Sequence, residues 1–312
     1  MILVSGGTGF IGQALIRHLS EVDLPIRTLI RPSVSNPNLP FGIPVEVAVT
    51  SLSDLRGLRA AMIGVDTIFH LVSGEWRGPR ASLMEIDISG TQNILQAAGD
   101  AGVKRIFYLS HLGADRASAY PVLKAKAIAE EYIRRCGIDY TIVRTALVFG
   151  PGDGFTTGLA RLLHGFPGVF FLPGEGNMLL QPLWVEDLVT CLTWALIDDT
   201  NRNTMIELGG PEYLSFRHIV ELVMGESGTR RKLIHLPAAY LRWFTVTIET
   251  FFPGMPVSQY WLDYLAVNRT CALDSVPRAF NLLPSRFAHR LAYLNNKEWG
   301  KNFWRNLWKR NP

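Results

Sequence analysis

The stretch SGGTGFIG, residues 5–12, lies between a short aliphatic run at 2–4 and a segment with apolar residues at helical spacing. This order predicts a strand, a glycine turn and a helix. In such a unit Gly6 makes a tight turn, Gly9 lets the backbone approach a pyrophosphate, and Gly12 lets the helix pack closely on the strand. The helix N-terminus offers N–H groups and a positive dipole end to phosphates. The sequence therefore predicts a dinucleotide site, with candidate contacts at Gly6, Thr8, Gly9, Phe10, Ile11 and Gly12.

The end of the second predicted strand, Pro25–Ile30, bears on which dinucleotide is bound. NAD-selective sites usually place an acidic residue about 20 residues beyond the last glycine, where it binds the ribose 2'-hydroxyl. Here Arg31 stands at that point, with Ser33 close behind, and no acidic residue occurs between Asp23 and Glu46. Because a guanidinium can pair with a 2'-phosphate, we expect NADP(H) to be preferred over NAD(H). The alternative is an exposed arginine that ends a loop.

Composition narrows the class of protein. The chain has 312 residues, of which 48% are hydrophobic and 19% are charged, so a large apolar core is expected and intrinsic disorder is not. Residues 297–312 hold five basic residues and one acidic one, and the rest of the chain carries 26 charges of each sign. A neutral body argues against a nucleic-acid-binding face. Three widely spaced cysteines suggest neither a metal site nor a disulfide framework and indicate a reducing, cytoplasmic compartment.

Further motifs follow in a fixed order along the chain. They are HLVS at 70–73, IDISGTQNIL at 86–95, GVKRIFYLSHLGA at 102–114, TIVRTALVFGPGD at 141–153 and QPLWVEDL at 181–188. Together with the glycine turn, this set resembles the extended and atypical short-chain dehydrogenase/reductases, which are NAD(P)-dependent epimerase/dehydratase-like proteins. Within them, the chain is most similar to the atypical branch that includes the nucleotide-binding accessory subunit of respiratory complex I and its bacterial relatives.

Hydrophobic patterning predicts a compatible architecture. Strand-like runs near 2, 26, 46, 67, 105, 141 and 206 alternate with helical segments near 12, 55, 91, 122 and 185. This alternation is typical of the α/β class, with a Rossmann-type doubly wound parallel sheet covered by helices on both faces. The resemblance further implies a smaller C-terminal α/β substrate domain, threaded in two pieces. We expect a dinucleotide-binding domain at 1–150 and 176–209, a substrate-type domain at 151–175 and 210–296, and a basic amphipathic tail at 297–312.

The resemblance also implies a catalytic Tyr that transfers a proton and a Lys, one helical turn later, that lowers the pKa of the Tyr and holds the nicotinamide ribose. Tyr120 and Lys124 have this spacing, and Ser110 is the serine at the preceding strand end. Counting from Ser110, and from the KAxxEE pattern, instead places the Tyr at Val122 and the Lys at Lys126. A two-residue shift turns a helical side chain by about 200°, so both registers cannot face the cofactor. The sequence leaves both open.

In the second register the usual proton donor is lost. Ser110 or His111 would then have to replace it, unless the protein is a cofactor-binding scaffold. Two residues depart from the family pattern: Ser51 stands where an Asp near the adenine is common, and Asp87 where an Asn often anchors the active-site strand. The matching motifs imply cofactor contacts at Leu71, Val72, Ser110, Lys126, Thr145, Leu147 and Val148. They imply substrate-side residues at Phe149, Gln181 and Trp184, with Asp187 as either a substrate-side residue or a helix cap.

The last sixteen residues, KEWGKNFWRNLWKRNP, place large apolar residues on one face of a predicted helix and basic residues around it. The apolar residues are Trp299, Phe303, Trp304, Leu307 and Trp308. This pattern is typical of a helix that binds a membrane surface or a protein complex, and the alternative is a terminal helix packed on its own domain. The Trp-containing apolar stretch 236–254 favours the first interpretation. We expect a cytoplasmic protein that is peripheral on a membrane if the tail binds lipid.

Two functions are compatible with these observations. The first is an NADP(H)-dependent oxidoreductase or epimerase that acts on a small hydrophobic substrate. The second is a non-catalytic NADPH-binding accessory subunit of a membrane-associated complex. Metal chemistry is not expected, because the His and Cys residues follow no metal-ligand spacing.

Overall fold

The computed structural model describes residues 1–22, 24–33, 37–75, 82–251, 254–256, 258–296 and 298–306. The strands are β1 (Ile2–Ser5), β2 (Ile26–Ile30), β3 (Glu46–Val49), β4 (Thr67–His70), β5 (Arg105–His111), β6 (Asp139–Thr145), β7 (Val148–Phe149), β8 (Val169–Pro173), β9 (Leu179–Leu180), β10 (Leu183–Trp184), β11 (Thr204–Leu208), β12 (Leu214–Ser215) and β13 (Lys232–Leu236). The α-helices are α1 (Phe10–Ser20), α2 (Leu55–Ala61), α3 (Gly90–Ala101), α4 (Pro121–Arg135), α5 (Thr156–Gly165), α6 (Val185–Ile197), α7 (Phe216–Glu226), α8 (Ala238–Phe251), α9 (Gln259–Tyr264), α10 (Ser275–Phe280) and α11 (Trp299–Asn306).

Within the described residues, the main sheet has seven strands in the order β11-β6-β5-β4-β1-β2-β3. All of its neighbouring strands are parallel, which confirms the predicted doubly wound class. The chain runs outward from β1 to β3 and then returns to β4 on the other side of β1. Ser5 pairs with Leu29 of β2 and with His70 of β4, so the carboxyl ends of these three strands lie together. Ligands bind to sheets of this kind at such a reversal of strand order.

Helices cover both faces of the main sheet because the central strands are buried on each side. Every residue of β1 and of β4 is buried. On one face α1 and α6 supply Leu15, Leu19, Leu188 and Leu192 to the core. On the other face α2, α3 and α4 supply another core, which includes Leu58, Ile94, Ala98, Ala129 and Ile133. The burial of both faces explains why the strands read as apolar runs without alternation.

A third core lies in the C-terminal half of the chain. Its largest members are aromatic: Phe149, Phe155, Phe216, Trp261, Phe287 and Trp299. Around it β7 pairs with β10 and β8 with β13 in parallel, while β9 pairs with β12 antiparallel. The domain boundaries given by the sequence remain a prediction.

The aromatic side chains of the C-terminal helix α11 differ in their exposure to solvent. Trp299 is buried, and Phe303, only 3% exposed, packs against Phe166 with ring centroids 5.4 Å apart. Trp304 is 58% exposed. Two of the aromatic residues predicted for a free face are therefore used within the chain. Leu307 and Trp308 lie outside the described residues. Within the described ranges, no helix is both long enough and apolar enough to cross a membrane.

Candidate functional site

The turn between β1 and α1 leaves helix N–H groups uncovered. Gly6 has φ +87°, and its carbonyl accepts a hydrogen bond from the Gly9 N–H at 2.9 Å. Gly9 is the N-cap of α1 and provides no side-chain cap for the first turn. A Cβ on Gly12 would lie 2.2 Å from the Gly6 carbonyl oxygen. The uncapped helix N-terminus and the bare backbone before it fit a pyrophosphate.

Neighbouring strands explain two further features of this turn. A Cβ on Gly6 would lie 3.3 Å from backbone atoms of both Leu71 and Val72, which places these predicted cofactor contacts beside the turn. A Cβ on Gly7 would lie 2.2 Å from Oγ1 of Thr28 on β2. The glycine motif alone gives no reason for Gly7. The reason lies in the tertiary structure, because the side chain of Thr28 on the neighbouring strand leaves no room for a Cβ.

The other residues predicted around the dinucleotide lie along the same edge of the sheet. The Thr8 carbonyl accepts a hydrogen bond from Gln13 at 3.0 Å, and Phe10 and Ile11 are half-buried in the first turn of α1. Arg31 and Ser33 are exposed directly after β2, whose Leu29 pairs with the last residue of β1. The Arg31 side chain therefore follows the carboxyl end of the strand that pairs with β1.

Lys126 is a buried cation at this edge of the sheet. Its Nζ lies 3.3 Å from Asp87 Oδ1 and 5.2 Å from the centroid of the Tyr108 ring, and it donates to the Leu109 carbonyl at 3.4 Å. Burial by itself would lower the pKa of Lys126, but the nearby Tyr108, Asp87 and Glu75 outweigh burial and raise it. The ammonium group is thus stably charged.

The two alternative registers on α4 differ in the structure. Lys124 is exposed, whereas Lys126 is buried. Val122 lines a small cavity next to the site, and Tyr120, the N-cap of α4, lines the same cavity. The structure therefore brings Lys126, Val122 and Tyr120 to this side of the helix and leaves Lys124 in solvent.

Asp87 joins the loop after β4 to the helical layer. Its Oδ2 accepts a hydrogen bond from the Gly74 N–H at 2.9 Å, and its Oδ1 faces Lys126. A carboxylate at this position thus anchors the loop and compensates the buried ammonium. Ser51, the other departure from the family pattern, has its hydroxyl 2.8 Å from that of Ser53 on the surface.

Ser110 is turned away from the cavity. Its hydroxyl donates to Glu130 Oε1 at 2.6 Å, and Glu130 also binds the Arg144 guanidinium at 2.6 and 2.9 Å. The Ser110 carbonyl accepts a hydrogen bond from Thr145 at 3.3 Å. Both Ser110 and Thr145 are fully or almost fully buried, and these bonds tie β5, β6 and α4 together.

His111, the next residue, instead faces the cavity side. Its Nε2 forms a short contact with Oε2 of Glu75, and its ring meets the Tyr264 ring edge-on with centroids 6.1 Å apart. Burial alone would raise the pKa of Glu75, but His111, Lys126 and Arg269 outweigh burial and lower it. Glu75 is therefore a carboxylate that holds the imidazole in place.

Residues from both halves of the chain line the cavity. The lining residues from the first half of the chain are Glu75, Tyr120, Val122, Leu147 and Phe155. Those from the C-terminal region are Ser258, Tyr260, Trp261, Asp263, Tyr264 and Arg269. Leu147 is the predicted cofactor contact that reaches it, whereas Val148 pairs with Leu183 in a small sheet.

The three residues expected at the substrate lie elsewhere. Phe149 is fully buried between Trp184 and Phe287, with ring centroids 5.3 and 4.7 Å away. Gln181 is also fully buried, where it donates to the Gly210 carbonyl and accepts from the Cys271 N–H, both at 2.8 Å. Phe149, Gln181 and Trp184 therefore contact other residues of the core. None of them is among the described residues that line the cavity.

Asp187 is not the cap of α6. The N-cap is Trp184, and Asp187 lies in the first turn, where its Oδ2 accepts a hydrogen bond from the Ser285 N–H at 2.6 Å. Glu75, Tyr264 and Arg269 were not singled out from the sequence. Glu75 follows the HLVS motif closely and could have been found there, but Tyr264 and Arg269 stand in no recognisable motif.

The strand order, the uncapped helix N-terminus at the reversal and the crowded glycine turn are the features of a dinucleotide-binding type of α/β fold. A family of proteins described as NAD(P)H-binding matches residues 6–159. Proteins named NADH dehydrogenase [ubiquinone] 1 alpha subcomplex subunit 9, mitochondrial, are similar in sequence. The one from Arabidopsis thaliana is 26% identical over 226 residues, which cover 70% of this chain and 56% of that protein. The one from Mus musculus is 26% identical over 239 residues, which cover 75% and 62%.

This chain thus spans about three-fifths of the length of these curated relatives. A Thermotoga maritima UDP-glucose 4-epimerase with UDP-glucose superimposes with a TM-score of 0.72 and 19% identity, over 97% of this chain and 99% of that one. An Escherichia coli NADPH-dependent quinone oxidoreductase with NADPH has a TM-score of 0.70 and 20% identity, over 95% and 100%. The chain therefore has the same α/β fold as these epimerase and quinone oxidoreductase structures, and its first half matches an NAD(P)H-binding family.

Proposed function

We propose that this chain is an NADP(H)-dependent oxidoreductase or epimerase whose cofactor lies across the carboxyl edge of β1 and β4. The observation that carries the proposal is Lys126, a buried and stably charged lysine beside a cavity at this edge. In that position its ammonium would bind the hydroxyls of the nicotinamide ribose. A bound nicotinamide would supply or accept the hydride.

The preference for NADP(H) rests on Arg31 and Ser33. Both are exposed after β2, at the point where an NAD-selective site carries an acidic residue. An exposed guanidinium can form charge-assisted hydrogen bonds with a 2'-phosphate, and a serine hydroxyl can add one more. We therefore assign the 2'-phosphate to these two side chains.

The proton is assigned to His111. In the register that contains Lys126, Val122 stands at the position of the catalytic Tyr, and it has no ionisable group. His111 is held by the Glu75 carboxylate, and Glu75 itself lines the cavity. An imidazole oriented by a carboxylate is a common general acid and base.

A second function is favoured by two features: Val122 in place of a catalytic Tyr, and exposed aromatic side chains on α8. The side chains of Tyr240, Trp243 and Phe251 on α8 are all more than half exposed, with Trp243 at 71%. An aromatic surface of this kind suits contact with a protein complex or a membrane. The mitochondrial relatives named as NADH dehydrogenase subunits support this function, an NADPH-binding accessory subunit.

The nucleotide carried by the purified protein distinguishes these functions. Mass spectrometry of the denatured protein should find NADP(H), and exchange against isotope-labelled nucleotide gives the rate. Exchange within seconds would support the enzyme, whereas NADPH that exchanges over hours would support the accessory subunit. Bound NAD(H) would contradict the assignment of Arg31. If the protein carries no nucleotide and binds no NADPH in a titration, both functions are wrong.

A further inference from the structure

Helix α8 turns aromatic side chains toward solvent, and basic residues stand beside it. We propose that these side chains together bind the anionic headgroup layer of a phospholipid bilayer. The inference rests on the second function proposed above, the accessory subunit, and adds to it by naming one partner and the side chains that contact it.

The exposed aromatic residues of α8 share one face of the helix. Four of them are each at least 45% exposed: Tyr240, Trp243, Phe244 and Phe251. Their spacings of three, four and eleven residues from Tyr240 place them within an arc of roughly 100°. Leu241 and Thr245, on another face, are buried. A surface helix ordinarily turns its apolar face to the core and its polar face to water, so α8 presents a surface that a partner would cover.

Contacts on its inner side hold α8 in this orientation. The helix packs on β8 and α9. Arg242 Nη1 lies 3.2 Å from Oδ1 of Asp263 on α9, and this ion pair fixes the rotation of α8 about its axis. The aromatic face therefore points outward because the other faces are already occupied.

The C-terminal helix α11 stands next to the same strand. Phe303 of α11 and Leu162 of α5 form a small core against which Phe170 of β8 and Met255 pack. Trp304, whose ring centroid is 5.3 Å from that of Phe303, is 58% exposed. Both α8 and α11 are thus anchored near β8, and each exposes a tryptophan.

Basic residues border these aromatic ones. The Arg231 Nε donates to the Phe166 carbonyl at 2.9 Å, and the Phe166 ring contacts Phe303 with centroids 5.4 Å apart. Arg230 and Lys232, on either side of Arg231, are exposed. The chain therefore places cationic side chains beside the aromatic side chains that contact α11.

Charge is distributed unequally between this region and the rest of the chain. Segments 154–174, 227–248 and 299–312 supply α5, β8, β13, α11 and most of α8. They hold nine of the 31 basic residues and none of the 27 acidic residues, so the rest of the chain has an acidic excess. An anionic surface attracts the first part and repels the second, which orients the chain.

The carboxylates that border these segments leave this charge in place. Three of them have basic partners: Asp263 with Arg242, Glu175 with His235 and Glu221 with Arg217. Glu226 is half-buried at the end of α7, and Glu298 precedes α11. Position 249, the acidic residue of α8, follows Tyr240 by two and a half helical turns and so stands away from the aromatic face. The exposed Arg230, Lys232 and Lys301 remain for lipid phosphates.

The combination of residue types favours a bilayer over an acidic protein. Tryptophan, tyrosine and phenylalanine on one face, with lysine and arginine around them, are typical of helices that lie in the headgroup layer. Protein interfaces instead deplete lysine from the contact. Rings enter the boundary between headgroups and acyl chains, and the cationic side chains meet the phosphates.

The test is flotation of the full chain with two kinds of vesicle, phosphatidylcholine alone and equal parts of phosphatidylcholine and phosphatidylglycerol. We expect at least tenfold stronger binding to the mixed vesicles. Each basic residue near an anionic surface contributes about fivefold, so the double variant Arg230→Gln, Lys232→Gln should bind them at least tenfold more weakly. Tyr240→Ser should bind about threefold more weakly, because one interfacial ring is lost.

Matched controls remove the same groups elsewhere on the surface. The double variant Arg56→Gln, Arg116→Gln loses the same charge from exposed positions, and Tyr132→Ser loses an exposed tyrosine of α4. Both should float with the mixed vesicles as the parent does. Thermal unfolding of every variant confirms that the chain is folded at the temperature of the assay.

Several results would overturn the assignment. Equal binding to the two kinds of vesicle, or binding to neither, would exclude an anionic bilayer. Equal losses in the two double variants would show that net charge alone drives binding. Polyglutamate bound as tightly as the vesicles, with Tyr240→Ser unchanged, would make an acidic protein the partner.

NADPH affinity, measured in the same variants, separates this inference from the proposed function. It should be the same in all of them. A chain that binds NADPH but neither kind of vesicle would contradict the lipid surface alone. A chain that binds the mixed vesicles through Arg230 and Lys232 but binds no NADPH would contradict the proposed function and leave the lipid surface intact.

Discussion

Lys124 and Lys126 stand two residues apart on α4 and occupy different environments because of the packing of that helix. Lys126, Glu130 and Ile133 are all buried, at spacings of four and then three residues, which places them on the face toward the sheet. Lys124 is exposed on another face. The helical rotation between the two positions buries Lys126 and leaves Lys124 in solvent.

The first residue-scale prediction compares these two lysines. Lys126→Met should weaken NADPH binding at least tenfold, or about 1.4 kcal/mol, because a charged hydrogen bond to the ribose is lost. Lys124→Met is the matched control and should change the dissociation constant less than twofold. Fluorescence titration with NADPH measures both.

Folding must be monitored in the same samples, because Lys126→Met leaves the buried Asp87 carboxylate without its ion pair. Thermal unfolding without nucleotide shows how much of the variant is native at the titration temperature. Loss of affinity in Lys124→Met, with Lys126→Met unaffected, would reverse the assignment of the register.

The second residue-scale prediction concerns His70 and pH. Its Nδ1 lies 2.7 Å from the Ser5 hydroxyl and its Nε2 lies 3.0 Å from the Thr91 hydroxyl. Burial, aided by the charge of Lys126, lowers the pKa of His70 to about 3. Between about pH 6.5 and pH 3, His70 binds a proton in the unfolded chain but not in the folded chain. The free energy of unfolding therefore falls as the pH falls through this range. We expect His70 to contribute up to about 1.4 kcal/mol of lost unfolding free energy per pH unit.

Urea unfolding of the protein at pH 7, 6 and 5 measures this dependence. His70→Gln should flatten it, and the exposed His289 gives the control variant His289→Gln, which should leave the slope as in the parent. The same slope in the parent and in His70→Gln would show that other groups cause the acid sensitivity.

At the scale of elements, the turn from β1 to α1 depends on the absence of a side chain at Gly12. Gly12→Ala would put a Cβ 2.2 Å from the Gly6 carbonyl oxygen and 2.8 Å from Gly7 Cα, and both atoms are backbone. We expect a loss of about 1–3 kcal/mol of unfolding free energy, since the helix must move from the strand. NADPH binding should be weakened as well, because the same movement displaces the helix N-terminus.

Gly99 in α3 provides the opposite case. A Cβ at Gly99 meets nothing within 4 Å, so Gly99→Ala should stabilise the protein by about 0.5–1 kcal/mol through helix propensity. Urea unfolding compares the two variants with the parent. Equal stability of Gly12→Ala and Gly99→Ala would contradict the close helix–strand contact.

At the scale of the whole molecule, the exposed aromatic residues on α8 and the exposed Trp304 on α11 are the side chains that we propose for membrane or partner contact. The double variant Trp243→Ser, Trp304→Ser should reduce co-sedimentation with anionic liposomes several-fold, because interfacial aromatic contacts are lost. High salt should reduce the binding of the parent. This pair is a sharper test than deletion of residues 297–312, which also removes the buried Trp299 and Phe303.

Trp194 on α6 is 43% exposed and provides the matched control. Trp194→Ser should sediment with liposomes like the parent. Equal sedimentation of the parent, the double variant and Trp194→Ser would exclude a lipid surface as the partner of α8 and α11 and leave a protein partner.

The sequence by itself determined the α/β class, the positions of the strands and helices of the main sheet, and the glycine turn. These features depend on residues close together in the chain: apolar spacing sets strand or helix, and a turn needs glycine where neighbouring backbone atoms meet. The resemblance carried by ordered motifs added NAD(P) binding, which the family match supports.

Only the tertiary structure decided which lysine of α4 is buried, since both have helical spacing and the packing of α4 on the sheet chooses between them. It also placed Phe149 and Gln181 within the core, although their motifs implied a substrate-side position. Tyr264 and Arg269 join Glu75 at one cavity across about 190 residues of sequence. No local pattern encodes such a meeting, because it depends on how the C-terminal region packs against the edge of the sheet.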